Sequence, residues 1–464
     1  MGAALSVCWP LLLGIGFLML GNGLQGSLLG IRANLEGFPT AVTGFVMSGY
    51  YLGFLIGSIV APKILATVGH VRVFAALASL ASSSALLHAV IPDPYIWTVF
   101  RIVTGFSFAG LYIVSESWLN DAATNETRGR ILSFYMFIVY GAMAAGQFLL
   151  TVSDPMGYNL FVIISVLVSL ALIPTALSAS PAPSIETPKK LGIRRLFAIS
   201  PLGVVGMTVV GVAQGAFFSM AAVYGSMIGL TLPQISLFIC VSIIGGAVLQ
   251  MPIGRLSDRF DRRKVLTVVT LLSAAAATLV LFVEGMDSKI PFMVVVTLFG
   301  GLSMPLYSLC IAHTNDHLEP DEMVAASSGL ILMNGMGAVA GPFLISLLMA
   351  SYGAMAFFSF LTVAHLFIGI FAIVRMSMSE PTPLEDQNDF VAMPVRSGPI
   401  AATMNPEAEE WDEEPDLEPE PNTWFTGLSK ASMSILEDSG DDDDEEAMHG
   451  DLTDDGPALW GRNG

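Results

Sequence analysis

Charged residues are scarce in this chain of 464 residues: Asp, Glu, Lys and Arg together make up 13% of it, whereas 53% is hydrophobic. A water-soluble domain carries about 25% charged residues to cover its surface. The composition therefore excludes an ordinary soluble globular protein, because most of the surface must face something other than water. With only 20 basic residues, there is also no large positive face for nucleic acid.

Cysteine is rare as well. Cys8, Cys240 and Cys310 lie far apart in apolar stretches, without the spacing of a disulfide framework or a zinc site. Three small buried thiols are the simplest interpretation. We expect no metal and no cofactor.

The acidic residues are concentrated at one end of the chain. After Met378 there are 24 of the 39 acidic residues and three of the basic ones, so the first 378 residues are nearly neutral. This Pro-rich segment includes the run Asp441-Asp-Asp-Asp-Glu-Glu446, and such a composition cannot bury enough apolar surface to fold. We predict a disordered acidic tail over 378–464.

The rest of the chain consists of apolar segments long enough to cross a bilayer, which takes about 20 helical residues. Short breaks such as Glu36-Gly37-Phe38-Pro39 separate them. The sequence therefore predicts an all-α membrane protein with twelve transmembrane helices, at 7–30, 41–66, 71–91, 95–118, 129–153, 157–178, 200–227, 234–256, 264–285, 290–313, 323–350 and 354–377.

Orientation follows from the basic residues, which cytoplasmic loops retain. Fourteen Lys and Arg residues fall in the loops on one side of the predicted spans, and two, Arg32 and Lys289, fall on the other. We predict a multi-pass protein of the cytoplasmic (inner) membrane with both termini in the cytoplasm.

The two halves of the body resemble each other. Gln25-Gly26 in the first span recurs as Gln214-Gly215 in the seventh, and Gly57 corresponds to Gly254. The polar segment 179–199 separates the halves. We predict two pseudo-symmetric six-helix bundles, 1–178 and 200–377, and internal repeats of this kind place a substrate site between the halves at mid-membrane.

The sharpest motif lies between the eighth and ninth spans: Gly254-Arg-Leu-Ser-Asp258-Arg259-Phe-Asp261-Arg262-Arg263-Lys264. It resembles the inter-helix signature of the major facilitator superfamily (MFS). The resemblance implies that the Gly allows close helix packing. It also implies that Asp258 accepts hydrogen bonds from a helix N-terminus and a neighbouring Arg, which forms a latch. A basic stop-transfer loop is the alternative. The first-half copy has Ala61 in place of the Asp, so the latch rests mainly on Asp258.

Two further segments resemble the same superfamily. One is Arg101-Ile-Val-Thr-Gly105 at the start of the fourth span, and the other is Asn125-Glu-Thr-Arg128-Gly129-Arg130 in the following loop. Arg101 has a functional role, which is the default interpretation of an Arg inside an apolar span, or its side chain extends to the nearby membrane surface. Glu116 is expected to pair with Arg128 or Arg130, or with the latch. The predicted gating residues are Gly57, Glu116, Arg128, Arg130, Gly254, Asp258, Arg259 and Arg262.

Taken together, these motifs identify the chain as similar to a poorly characterised bacterial inner-membrane branch of the superfamily. The resemblance implies the MFS fold and alternating access, and it supplies no substrate. Polar and aromatic side chains deep in the spans are candidate ligands, although each one can equally join two helices. The predicted substrate-binding residues are Asn22, Gln25, Arg101, Tyr135, Tyr140, Gln147, Gln214, Tyr224, Tyr307 and Asn334.

Two classes of function remain open at this point. The first is a secondary active transporter for a small organic solute, with a proton as a possible coupling ion. The second is a membrane-embedded enzyme or signalling protein that works through its acidic tail. Enzymes of this kind should show clustered catalytic groups, and the histidines and acidic residues here are scattered. We therefore expect no enzyme activity. The expected partners are a small-molecule substrate and the lipid bilayer, with the protein as a monomer.

Overall fold

The computed structural model describes residues 2–123, 127–176, 191–378 and 382–393. Within these ranges the chain forms fourteen α-helices and no strand. The helices are α1 (Gly2–Leu35), α2 (Thr40–Val68), α3 (His70–Val90), α4 (Pro94–Asp121), α5 (Arg128–Phe148), α6 (Asn159–Ala176), α7 (Ile193–Ile199), α8 (Pro201–Met227), α9 (Leu232–Arg259), α10 (Arg262–Val283), α11 (Ile290–Ser303), α12 (Leu306–Asn315), α13 (Pro320–Tyr352) and α14 (Met355–Met376).

The predicted twelve spans are confirmed: the described residues contain twelve helical segments long and apolar enough to cross a membrane. Helices α11 and α12 together make one span, Ile290–Asn315, which is broken at Met304 and Pro305. Pro305 lacks the N–H that a continuous helix would use there. The short helix α7 lies outside the spans, in the segment predicted to be a polar linker, and residues 179–190 of that linker lie outside the described residues.

The same pairs of helices pack closely in each half of the chain. Helix α1 packs on α5 as α8 packs on α13, and α2 packs on α4 as α9 packs on α11. Gly105 of α4 contacts the main chain of Tyr50, and a Cβ at this position would overlap the Tyr50 carbonyl oxygen; Gly300 of α11 meets Ser242 in the same way. Small residues let helix backbones approach closely in a membrane. The structure therefore supports the internal duplication.

The ends of the helices define two sides of the molecule. We call the side that holds Lys63, Arg72 and residues 254–264 the basic side, and the other the opposite side. Helix α1 ends on the opposite side, where Pro39 precedes α2. Asp93 begins α4 on that side too, since its carboxylate accepts the N–H groups of Tyr95 and Ile96 at 2.9 and 3.0 Å, which is a typical N-cap.

Part of the predicted tail packs against the helices. Residues 387–393, which we call the strap, lie on the basic side against α9, α10 and α12. Met393 is buried, with 1% exposure. The boundary of the predicted disordered tail thus moves from residue 378 to beyond Met393. Residues 394–464 lie outside the described residues, and their disorder stays a prediction.

Candidate functional site

A cleft of about 610 Å³ lies between α5 of the first half and α9 of the second. It extends from Gly129, in the first turn of α5, to Gly141, and the strap forms part of its wall. Most of its lining is apolar or aromatic, which suits an organic solute. The lining residues are Gly129, Leu132, Ser133, Met136, Phe137, Tyr140, Gly141, Ile244, Ala247, Val248, Gln250, Met251, Asp389, Phe390, Val391 and Ala392.

On the opposite side the two halves touch directly. The Ser346 hydroxyl of α13 donates to the carbonyl oxygen of Ala41 in α2 at 3.4 Å, and Gly44 faces the Ser346 side chain without room for a Cβ. Gly30 of α1 packs on Val223 of α8, where a Cβ would lie 3.2 Å from a Val223 methyl carbon. The halves are therefore in contact on the opposite side and separated by the cleft on the basic side.

Gln25 and Gln214 are predicted ligands in which the whole side-chain amide is buried without a hydrogen bond among the described residues. They are 1% and 6% exposed, and neither the oxygen nor the nitrogen of either amide has a hydrogen-bond partner among the described residues. Gln214 borders a void of about 10 Å³ beside Phe217, Phe299 and Ser303, which is room for roughly one water molecule. Buried polar groups without partners are rare and call for an explanation.

Other predicted ligands join helices instead. The Gln147 amide of α5 donates to the Gly23 carbonyl oxygen at 2.9 Å and accepts from the Ser27 hydroxyl at 2.5 Å. Asn334 donates to the Met207 carbonyl oxygen at 3.2 Å. The amides of these two residues are held between helices within one half, and the structure does not place them on the cleft.

Tyr224 also lies away from the cleft. Its hydroxyl donates to the carboxylate of Glu284, which follows α10 on the opposite side. The Tyr224 ring stacks on Phe357, with 4.7 Å between the ring centroids. These contacts tie α8 to α10 and α14.

Arg101 is buried within the first half. It is 3% exposed, and its guanidinium carbon lies 4.6 Å from the centroid of the Tyr50 ring. The Tyr50 hydroxyl accepts a hydrogen bond from Asn22 at 3.4 Å. The predicted alternative that Arg101 extends to the surface is therefore wrong, and the side chain makes a cation–π contact inside the bundle instead.

Glu116 and Tyr135 form a buried pair between α4 and α5. Both are fully buried, and the Tyr135 hydroxyl donates to the Glu116 carboxylate at 2.8 Å. Tyr112 and Tyr307 lie close enough to interact with Tyr135 electrostatically, which brings a residue of α12 toward the pair. The sequence predicts that Glu116 pairs with Arg128 or Arg130, or with the latch. In the structure its carboxylate accepts from Tyr135, while Arg128 is buried at the start of α5 and Arg130 is exposed.

A buried arginine organises the basic side of the second half. All five N–H groups of Arg262 have acceptors: Asp316 at 2.5 Å, Ala312 at 3.0 Å, Ser257 at 3.1 Å, Asp258 at 3.1 Å and Asn388 at 2.6 Å. The Arg262 side chain is 1% exposed. A guanidinium so deeply buried is stable only where its charge and its donors are satisfied.

Asp258 differs from the predicted latch in its second partner. Its carboxylate accepts from Arg262, as expected, but the main-chain N–H that it accepts is that of Phe390 in the strap, at 2.9 Å, and not that of a helix N-terminus. Gly254 lies under the Phe390 ring. Of the remaining gating residues, Gly57 packs between α2 and α4 against Phe106, and Arg259 is exposed.

Asp316 is a functional candidate that none of the sequence motifs indicates. Its side chain is 1% exposed and forms the closest ion pair of Arg262. One signal was available: Asn315-Asp316 at the end of α12 repeats Asn120-Asp121 at the end of α4, at the offset that relates the halves. The other missed residues, Asn388, Phe390 and Met393, belong to the strap.

Comparisons with known proteins agree with this architecture. The family model described as Major Facilitator Superfamily matches residues 11–246 and 203–411. A relative from Escherichia fergusonii, named as the uncharacterized MFS-type transporter YcaD, is 25% identical over 344 residues, covering 74% of this chain and 88% of the relative.

Two solved structures share the fold. The nucleoside transporter NupG superposes with a TM-score of 0.63 at 14% identity, over 82% of this chain and 99% of NupG. A bacterial homolog of the human lysosomal transporter Spinster, in an inward-facing and occupied conformation, gives a TM-score of 0.66 at 14% identity, over 82% of this chain and 98% of the homolog.

Proposed function

This chain belongs to the major facilitator superfamily, and we propose that it moves a largely apolar organic solute with polar groups through the cleft between α5 and α9. It is a multi-pass inner-membrane protein that carries out secondary active transport of small solutes. The observation that carries the proposal is the asymmetry of the two sides: the halves touch at Ser346 and Ala41 and are separated at the cleft. Alternating access needs this asymmetry to reverse.

The solute is recognised by apolar contacts in the cleft and by two glutamines deeper in the body. Met136, Phe137 and Val248 give the cleft its apolar character. Gln25 and Gln214, which do not line the cleft, each hold an unused donor and an unused acceptor. A solute with hydroxyl, amide or ring-nitrogen groups satisfies them when it advances from the cleft as the two halves move. Leaving them unpaired costs about 1–3 kcal/mol per group, which the solute recovers. Nucleosides combine a ring with such groups, and they are the first class to test because the nucleoside transporter NupG shares the fold.

The basic side is the cytoplasmic side in this proposal, because the excess of Lys and Arg lies there. Both termini are then cytoplasmic, and the described conformation is open inward. The protein functions in this proposal as a monomer embedded in lipid, without enzyme activity.

Coupling to a proton is assigned to Glu116 and Tyr135. An acidic side chain fully buried in a membrane-spanning helix is costly and is functional by default. Glu116 meets this description, and its carboxylate is held by Tyr135 of α5, the residue next to the cleft residue Met136. Protonation of Glu116 would remove a buried charge, which changes the balance between the two conformations.

A two-stage experiment tests the function. Thermal-shift measurements on the purified protein first identify solutes that raise its melting temperature, from a panel of nucleosides, neutral aromatic compounds and sugars. Proteoliposomes then measure uptake of each hit with and without an imposed proton gradient. We expect saturable uptake that the gradient drives. The double variant Gln25→Ala/Gln214→Ala is the control, and hits that bind without any protein-dependent flux would contradict the transport proposal.

A further inference from the structure

We propose that the strap, residues 387–393, is a built-in brake that holds the transporter open on the basic side, and that it must leave its groove in every transport cycle. The inference rests on the proposed function, since it assigns a regulator to the same cleft. It begins from the contacts that hold the strap.

The groove binds the strap mostly through its main chain. The Asn388 carbonyl oxygen accepts from Arg262 at 2.6 Å, and the Asn388 N–H donates to Asp316 at 3.2 Å. Further along, the Phe390 N–H donates to Asp258 at 2.9 Å. Asn388 and Phe390 thus bind the three charged side chains that link α9, α10 and α12 on the basic side.

The last residue of the strap is anchored in the same way. The Met393 N–H donates to the Ser308 hydroxyl at 3.0 Å, and the Met393 carbonyl oxygen accepts from the Gln250 amide at 3.3 Å and from Ser308 at 3.2 Å. Gln250 and Ser308 are buried side chains of α9 and α12. A main chain bound by buried side chains at both ends of a seven-residue segment forms a built peptide site.

Two apolar side chains of the strap also pack into the groove. Met393 is 1% exposed. The Phe390 ring lies on Gly254, and the three heavy atoms nearest to a Cβ on that glycine would all belong to the ring. The groove therefore recognises an apolar residue at position 390 and another three residues later.

The position of the strap is what makes it a brake. Asp389, Phe390, Val391 and Ala392 form one wall of the cleft, together with residues of α5 and α9. Closing the basic side brings α5 and α9 together and removes the cleft, so the strap that lines this cleft has to move away. A segment that binds only one of two conformations shifts the equilibrium toward that conformation by its binding free energy.

Paired truncations provide the test, with a reporter that needs no substrate. Ser346→Cys places a thiol where α13 meets α2 on the opposite side, a site with 0% exposure in the described conformation. A membrane-impermeant maleimide applied from that side reacts only when the opposite side opens. The native chain, whose three cysteines are buried, sets the background.

The two truncations separate the strap from the rest of the tail. A chain ending after Met393 keeps the strap and loses the acidic segment, whereas a chain ending after Met378 loses both. We expect labelling of the introduced thiol to be several-fold faster in the shorter chain than in the full chain, and unchanged in the chain that ends after Met393. A synthetic peptide of residues 382–393 should slow the labelling of the shorter chain again.

Point variants keep the proposal testable if the shorter chain accumulates poorly. Phe390→Ala in the full chain removes the ring from Gly254 and should speed labelling, whereas Leu384→Ala, which changes an exposed side chain before the strap, should not. Equal, measurable labelling rates with and without an intact strap would overturn the brake alone. Absence of labelling in every variant would overturn alternating access itself, and the brake with it.

Discussion

The guanidinium of Arg262 lies 2.5 Å from the carboxylate of Asp316, and both side chains are 1% exposed. Asp258, the other acidic partner of Arg262, is 32% exposed and lies 3.1 Å away. The two carboxylates therefore make the same kind of bond in different surroundings. The two ion pairs therefore depend differently on their partners, because water reaches and screens the Asp258 carboxylate but not that of Asp316.

Replacing Asp316 by Asn should destabilise the protein strongly. Arg262 would keep its charge in a buried site without its closest counter-charge, and breaking a buried pair costs about 3–5 kcal/mol. We expect a lower melting temperature in detergent and less protein in the membrane fraction. Asp258→Asn is the matched control and should shift the melting temperature much less. Equal shifts for the two variants would mean that burial of Asp316 is not what makes it important.

Asp258→Asn should slow transport while leaving the amount of inserted protein nearly unchanged. The Asn side chain still accepts the Phe390 N–H, but it no longer attracts Arg262 as a carboxylate does. The rate at which the basic side opens and closes should therefore fall, whereas folding should change little. Initial uptake rates per amount of membrane-inserted protein measure this. A parallel loss of protein and of uptake would make Asp258 a structural residue only.

Gly105→Ala should destabilise the packing of α2 on α4. Its new methyl group would overlap the main-chain carbonyl of Tyr50, and a main chain in a helix pair moves only with the whole helix. Gly141→Ala is the control, because a Cβ there has no neighbour within 4 Å and alanine favours a helix over glycine by about 1 kcal/mol. Thermal unfolding should show a loss for the first variant and none for the second. The reverse order would contradict the register in which α4 packs on α2.

Gln25→Ala and Gln214→Ala should each raise the half-saturation concentration for the transported solute several-fold, without changing insertion. Both amides are buried and unsatisfied in the absence of solute, and a lost hydrogen bond costs about 1 kcal/mol or more. The double variant should depart from additivity only if both residues bind one solute molecule.

Gln147→Ala is the informative comparison for these two variants. That amide is already bonded to Gly23 and Ser27, so its loss should lower the melting temperature and leave half-saturation alone. An unchanged half-saturation in all three glutamine variants would remove Gln25 and Gln214 from the binding site.

Glu116→Gln should uncouple transport from the proton gradient. The glutamine oxygen still accepts the Tyr135 hydroxyl bond, so folding should survive, but the side chain no longer binds and releases a proton. We expect exchange of labelled for unlabelled solute to continue while gradient-driven accumulation is lost. Tyr135→Phe keeps the carboxylate and should retain some accumulation. Full accumulation in the Glu116→Gln variant would assign coupling elsewhere.

The twelve spans could be predicted because the need for about 20 apolar residues is a local property of each segment. The candidate ligands show where prediction from sequence ends. Gln25 and Gln147 are both amides in apolar spans, and the sequence does not distinguish them. Helix packing places the Gly23 carbonyl and the Ser27 hydroxyl beside Gln147, whose amide is therefore hydrogen-bonded, whereas the amide of Gln25 is not. The internal repeat was more informative than residue type, because Gln25 and Gln214 occupy corresponding positions and both amides lack hydrogen bonds.

The strap could not be predicted from the sequence for a related reason. The acidic composition of residues after 378 is an average over a long segment, and it hides the short apolar run Phe390-Val-Ala-Met393. The groove that binds this run is formed by side chains far back in the chain, among them Gln250 and Arg262. Neither the run nor the groove indicates the other until the helices are assembled.

The contact between Gly254 and the Phe390 ring also constrains how this chain can diverge. A methyl group at position 254 would meet the ring first, so the glycine is required for as long as an aromatic residue is bound above it. If residue 390 becomes small, the restriction on residue 254 from that direction is lifted. Among descendants of this chain, the two positions should therefore change together, and a larger residue at 254 should mark the lineages whose C-terminal segment no longer binds there.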